Sequence, residues 1–164
     1  MNTVTGKATQ PQVHPEQSWR SILETATIEV FELMASVRLQ PMASAEGQPQ
    51  GDTTAMVGMA GALCGMTLIR CSRQCAGKLA AKMLGGDAGT NQAAAGDALG
   101  ELCNMVAGNF KSKFSTLADH CMLSVPTVIR GKDYSMQTLE PSETVMVALD
   151  YDGAAVWISL VVHT

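Results

Sequence analysis

The run Asp97-Ala-Leu-Gly-Glu101-Leu-Cys-Asn104-Met-Val-Ala-Gly108-Asn-Phe-Lys111 constrains the fold more than any other part of the chain. Read as a helix at about 100° per residue, it separates into two unlike sides. Leu99, Leu102, Cys103, Val106, Phe110 and Phe114 share one side, with Lys113 as the single charged intruder. A stripe of that width is a core-facing surface. Asp97, Gly100, Glu101, Asn104, Gly108, Lys111 and Ser112 occupy an arc of roughly 120° on the other side. Within it Glu101 and Asn104 stand one turn apart, at i and i+3. Gly100 and Gly108 flank them, where a better helix former would gain about 1 kcal/mol each. A helix face that forgoes this stability to stay flat expects something to come close.

The segments around this helix fix the fold class. Residues 1–16 are polar, contain Pro11 and Pro15 and lack periodicity, so they read as a flexible tail. A helix begins near Ser18 as N-cap, with Ile22, Leu23, Ala26, Val30, Leu33, Met34 and Val37 at helical spacing. Pro41 and the small, polar run 43–51 end it. Strands are expected at Thr53–Met59 and Leu63–Cys71 around a turn at Ala60-Gly61-Ala62. Ser72 then caps a helix that reaches Leu84 and stops at Gly85-Gly86. The helix containing Glu101 runs from about Ala94 to Leu117. Beyond it the period changes to two, with strands expected at His120–Val125, Ser135–Leu139, Thr144–Tyr151 and Ala154–Val162. Asp150-Tyr-Asp152-Gly153 is a hairpin signal between the last two. With 164 residues the chain is one domain, residues 17–164. Its class is α/β (α+β), with helices packed on a long, mostly antiparallel sheet and the Asp97–Lys111 helix exposed on the outer face.

The two halves of the domain look related. Ala26–Ala35 lines up with Ala98–Ala107, and Gly61–Arg70 with Gly153–Val162, so each half is a long helix plus a hairpin. Glu29 then matches Glu101, but Glu32 stands where Asn104 does. A carboxylate accepts hydrogen bonds and cannot donate as an amide does. The first helix should therefore carry no equivalent site.

Composition excludes several function classes. The net charge of −4 leaves no basic footprint for nucleic acid. No apolar segment approaches the length of a membrane span. Five cysteines cannot all pair within the chain, and their spacing fits neither a disulfide framework nor a paired-CxxC zinc site. Buried free thiols in a reducing cytoplasm are expected. Aromatics are only 4% of the chain, so the core must be built from Leu, Val, Ala and the eleven methionines. His14, His120 and His163 have no partner at nucleophile or metal spacing, and no Ser-His-Asp order, phosphate-cradling glycine loop or HExxH occurs. No metal site is expected.

The run DALGELCNMVAGNFK resembles the signature helix of the CheC/CheX/FliY family of chemotaxis phosphatases, and is most similar to its CheX members. Asp97, Glu101 and Asn104 match the family's Asp/Ser-x3-Glu-x2-Asn motif, and Gly108-Asn109 its continuation. Leu79–Gly86 resembles the family's second helix, and Ser124-Val-Pro126-Thr-Val-Ile129 the strand that carries its proline. The resemblance runs from Ser18 to the C-terminus. It implies a CheC-like fold with one working site, as CheX members have. It also implies a cytoplasmic enzyme that hydrolyses the aspartyl phosphate of a CheY-like receiver domain. Glu101 and Asn104 would be the catalytic pair: Asn104 places the attacking water, and Glu101 pairs with the receiver's active-site lysine. Gly100 and Gly108 would leave room for the receiver's loops. Asp97 would cap or orient the helix, and Lys111, on the same arc, would contact phosphate or receiver acids. The protein would need no cofactor of its own, because the receiver supplies Mg²⁺. A homodimer formed through strand contacts is expected, with no nucleic-acid or membrane partner. Two other readings stand beside this one, a non-catalytic module that sequesters the receiver and a structural part of a flagellar switch complex.

Overall fold

The computed structural model describes residues 15–42, 47–86, 91–114 and 118–163. The elements are α1 (Pro15–Ala35), β1 (Gln40–Pro41), β2 (Thr53–Gly61), β3 (Gly65–Cys71), α2 (Arg73–Leu84), α3 (Gln92–Ser112), β4 (Cys121–Leu123), β5 (Thr127–Arg130), β6 (Ser142–Tyr151) and β7 (Ala154–His163). Most of the expected tail, residues 1–14, lies outside the described residues. The first helix starts at Pro15, ahead of the expected cap at Ser18. Proline is at home in the first turn of a helix, where its missing N–H costs nothing. Ser72 caps α2 as expected, its Oγ accepting from Cys75 N at 3.1 Å, and Gly85 ends it at φ 68°. Asp152 and Gly153, at φ 52° and 77°, form the two-residue turn between β6 and β7.

All seven strands join one antiparallel sheet in the order β1-β6-β7-β3-β2-β4, with β5 also pairing β2. β4 and β5 are two pieces of one edge, opposite Met59–Gly61 and Thr53–Met56 of β2. Pro126 lies in the break and cannot donate to a ladder. Ser124 spans part of it: its N donates to Gly58 O, and its Oγ accepts from Gly58 N, both at 2.9 Å. Exchanging β2 for β6, β3 for β7 and β1 for β5 reproduces the strand order read backwards. α1 rests on β6 and β7, and α3 on β2 and β3.

The register assigns each strand residue a face. The rows Ala55–Ile69–Ile158–Val147 and Val57–Thr67–Leu160–Val145 run across four strands beneath the helices. With Phe31, Leu79, Leu99, Leu102 and Phe110 they make the core. The rows Thr54–Arg70–Trp157–Ala148 and Met56–Leu68–Ser159–Met146 face the other way. Among the described residues no helix covers that second face. Residues 134–138 cross it instead, anchored by a hydrogen bond between Tyr134 OH and Thr54 Oγ1. This corrects the expectation of a strand at Ser135–Leu139, which is irregular. The segment crosses the sheet face instead of pairing with a strand, and its Met136 and Leu139 stay exposed.

Candidate functional site

α3 is held from three directions. On the sheet side, the buried Cys103 thiol donates toward Thr67 O at 3.4 Å and Ala55 O at 3.6 Å. That burial pushes its pKa up to about 12. On the α1 side, Asn109 Nδ2 donates to Glu29 Oε2 at 2.8 Å and to Ala26 O at 3.3 Å. Lys113 Nζ reaches the same Glu29 oxygen at 2.7 Å. These two donors hold the Glu29 carboxyl below its ordinary range. On the edge-strand side, Gly96 faces Arg130 and Val128, and Gly100 faces Pro126 and Val128. Arg130 Nη2 donates to Gln92 O at the start of the helix.

What remains free is a line along the outer face. Asp97 and Glu101 are exposed and Asn104 is half-buried. Apart from Cys103 on the sheet side, the side-chain hydrogen bonds of this half of α3 leave from Asn109, Lys111 and Ser112. Among the described residues, no hydrogen bond or ion pair engages the side chain of Glu101 or Asn104. A groove of about 530 Å³ begins at Asn104 and is lined by Val30, Leu33, Gly108 and Leu123. Leu33 is 77% exposed there. The arrangement offers an acceptor-only carboxylate and a donor–acceptor amide, one turn apart and uncommitted, beside an apolar groove.

Two of the expected supporting residues have other work, and a third, Asp97, is not the cap. Gly100 is buried, and the room it leaves is taken by this chain's own Pro126 and Val128, not by a partner's loop. The edge strand reaches up beside the helix there, which the helical period of a single segment does not show. Lys111 is also claimed: its Nζ donates to Ala118 O and Cys121 O, both at 2.8 Å, and so ties down the chain leaving α3. Asp97 does not cap the helix. Asn91 does, its Oδ1 accepting from Ala93 N at 2.9 Å and Ala94 N at 3.4 Å. Asp97 sits beyond the first turn, where the helix dipole has faded. Gly108 does lie open on the groove, with only Leu123 Cδ1 near the position of an added Cβ, at 3.9 Å.

Pro126, Glu29 and Asn109 position the site, and sequence reasoning gave them no such part. Their signals in the sequence were the family's proline, the Gly108-Asn109 continuation of the motif and the alignment of Glu29 with Glu101. At the position aligned with Asn104, Glu32 is exposed and lies 3.9 Å from Arg38. His120 is exposed and His163 half-buried, and His14 lies outside the described residues. Among the described residues no group of three metal-ligating side chains converges, and no helix is long and apolar enough to cross a membrane. All five cysteines are free.

The family model described as Chemotaxis phosphatase CheX matches residues 53–150, more than half of the chain. No curated protein matches in sequence. Solved structures give the same fold. The chemotaxis protein CheX of Desulfovibrio desulfuricans superposes with a TM-score of 0.77 at 23% identity, over 89% of this chain and 99% of that one. CheX of Vibrio vulnificus gives 0.73 at 22% identity, over 90% and 98%. The Borrelia burgdorferi CheX–CheY–BeF3–Mg²⁺ complex gives 0.74 at 19% identity, over 89% and 98%.

Proposed function

The chain belongs to the CheX family of chemotaxis phosphatases, and on that premise we propose that it hydrolyses the aspartyl phosphate of a CheY-like receiver domain by docking the outer face of α3 into the receiver's active site. The observation that carries the assignment of residues is the uncommitted pair Glu101 and Asn104 on a face otherwise tied down. A related CheX has been solved together with CheY, BeF3 and Mg²⁺, which supports a receiver as partner.

An acyl phosphate is already activated, so the phosphatase needs to supply position rather than covalent chemistry. Water attacks phosphorus, the bond to the aspartyl oxygen breaks, and carboxylate and inorganic phosphate result. Asn104 accepts a hydrogen bond from the water through Oδ1 and donates to a phosphoryl oxygen through Nδ2. This resembles the water-orienting glutamine of GTPases. Glu101 forms a charge-assisted contact with the receiver's active-site lysine and sets the register of docking. Mg²⁺ comes with the receiver. Asp97 flanks the docked helix and Gly108 keeps the groove beside Asn104 open.

The protein acts in the cytoplasm, as a homodimer joined through its edge strands. Met122, on β4, and Val125, in the break beside it, are 77% and 83% exposed and support this. The test is turnover: a phosphorylated receiver is incubated with a tenth of its amount of this protein, and phosphate release is followed. Multiple turnovers that vanish in Asn104→Ala support an enzyme. Release that stops at one equivalent, or binding without release, makes it a sequestering module.

A further inference from the structure

We propose that the helix-free face of the sheet binds a small organic anion with a flat apolar body, seated between Arg70 and Trp157. A cavity of about 620 Å³ lies on this face, within the roughly 300–1,000 Å³ of small-molecule sites. Its floor is the strands β6, β7, β3 and β2, and its rim is formed by residues 47–49 and 134–136. Leu68 and Met146 give the floor an apolar patch. Tyr134 OH bonded to Thr54 Oγ1 ties the rim to the floor.

The polar groups decide the ligand's charge. Trp157 is only 6% exposed, and its Nε1 has no hydrogen-bond partner among the described residues. A buried indole N–H ordinarily has one. Arg70 adjoins Trp157 in the ladder. Its Nε donates to Gly51 O at 2.9 Å, and its guanidinium carbon stands 4.9 Å from the centroid of the Tyr134 ring. Among the described residues no carboxylate forms an ion pair with it and no Asp or Glu lines this cavity, although Asp52 and Lys132 line the adjoining pocket that Arg70 also borders. An anionic head therefore finds the guanidinium N–H groups of Arg70, with the Trp157 side chain beside it on the floor. α3 packs on the opposite face of the sheet, so such a ligand leaves Glu101 and Asn104 free.

Binding is read in a Trp19→Phe background, where Trp157 is the sole tryptophan. The probe is 1-anilinonaphthalene-8-sulfonate, and the control is N-phenyl-1-naphthylamine, the same body without the charge. The sulfonate should bind at one per chain and quench Trp157, and the neutral control at least tenfold more weakly. Arg70→Gln should weaken the sulfonate at least tenfold and leave the control unchanged. Ser159→Leu, which fills the cavity from the floor, should abolish both. Unsaturable binding, equal binding of the two probes, or wild-type binding by Ser159→Leu overturns the proposal. So does a second copy of the chain that covers this face and excludes the probe. Should Arg70→Gln fail to fold, the probe pair and Ser159→Leu still decide.

Discussion

Gly100 on α3 and Pro126 in the break of the edge strand are packed so closely that a Cβ on the glycine would lie 3.3 Å from the proline Cβ. Val128 Cγ2 would be 3.5 Å away. The glycine thus lets the edge strand reach the helix one residue before Glu101. Pro126 braces the face that Glu101 and Asn104 share.

A comparison of two alanine substitutions follows from this packing. Gly108→Ala meets only ordinary contact, so it should gain about 0.5–1 kcal/mol from helix propensity. Gly100→Ala has the same propensity gain but must push Pro126 aside, and overpacking costs about 1–3 kcal/mol. Urea denaturation should therefore rank Gly108→Ala above wild type and Gly100→Ala at or below it. If both substitutions stabilise equally, Pro126 does not brace the helix.

Lys111 should behave as a structural residue. Its ammonium satisfies two carbonyls just past the C-terminus of α3 and complements the helix dipole. Lys111→Met leaves Ala118 O and Cys121 O without this donor. We expect a loss of about 1–3 kcal/mol, with KM for a phosphorylated receiver unchanged at temperatures where the variant is folded. A selective rise in KM without loss of stability would return Lys111 to the docking face.

The Glu29 carboxyl gives the α1–α3 clamp a pH dependence. Its folded pKa lies below the ordinary 4.5 because Lys113 and Asn109 stabilise the charged form. A group depressed in the folded state contributes its stability fully above the unfolded value. That contribution is lost as pH falls below 4.5 through the folded value. The denaturation midpoint should fall over this acid range more steeply in the wild type than in Glu29→Gln. Because the pair is solvent-exposed, the difference should shrink in high salt.

Much of this architecture was legible in the sequence because local chemistry specified it. Ser72 and Gly85 bound α2 as their residue types suggest, and Asp152-Gly153 supplies the two positive-φ positions of its hairpin. Leu99, Leu102, Cys103, Val106 and Phe110 are all buried, as the helical period requires. The site was legible at Glu101 and Asn104 because a helix face can be read from one segment. It was illegible at Gly100 and Lys111, whose partners Pro126 and Cys121 come from a strand edge. Ser135–Leu139 forms no strand, because ladder pairing depends on a neighbouring strand that the segment's own sequence does not specify.

Thiol reactivity should follow burial. Cys64 is exposed, whereas Cys71, Cys75, Cys103 and Cys121 are buried. The thiolate is the reacting species, and Cys103 is held protonated by its surroundings. Cys71 is likewise pushed up, by its hydrogen bond with Cys75 and by burial, while Cys75 is drawn down but lies inside the core. At neutral pH an aromatic disulfide reagent should titrate one thiol rapidly in the native protein and all five after unfolding. Rapid modification of two or more native thiols would mean that the α2–β3 corner opens.

Glu101 and Asn104 should separate in their kinetic effects, because one acts on docking and the other on the reacting water. Removing one preorganised donor costs about 10²–10³ in rate, so Asn104→Ala should lower kcat by that much with little change in KM. Glu101→Gln removes the charge opposite the receiver's lysine while keeping shape. Its main effect should be on KM, with a weaker dependence of kcat/KM on salt than the wild type has, since screening acts on the charge pair. Both side chains are without partners in the described structure, so neither substitution should shift the urea midpoint by more than about 0.5 kcal/mol. If Asn104→Ala instead raises KM and leaves kcat intact, the amide is a docking contact and the water is placed by the receiver alone.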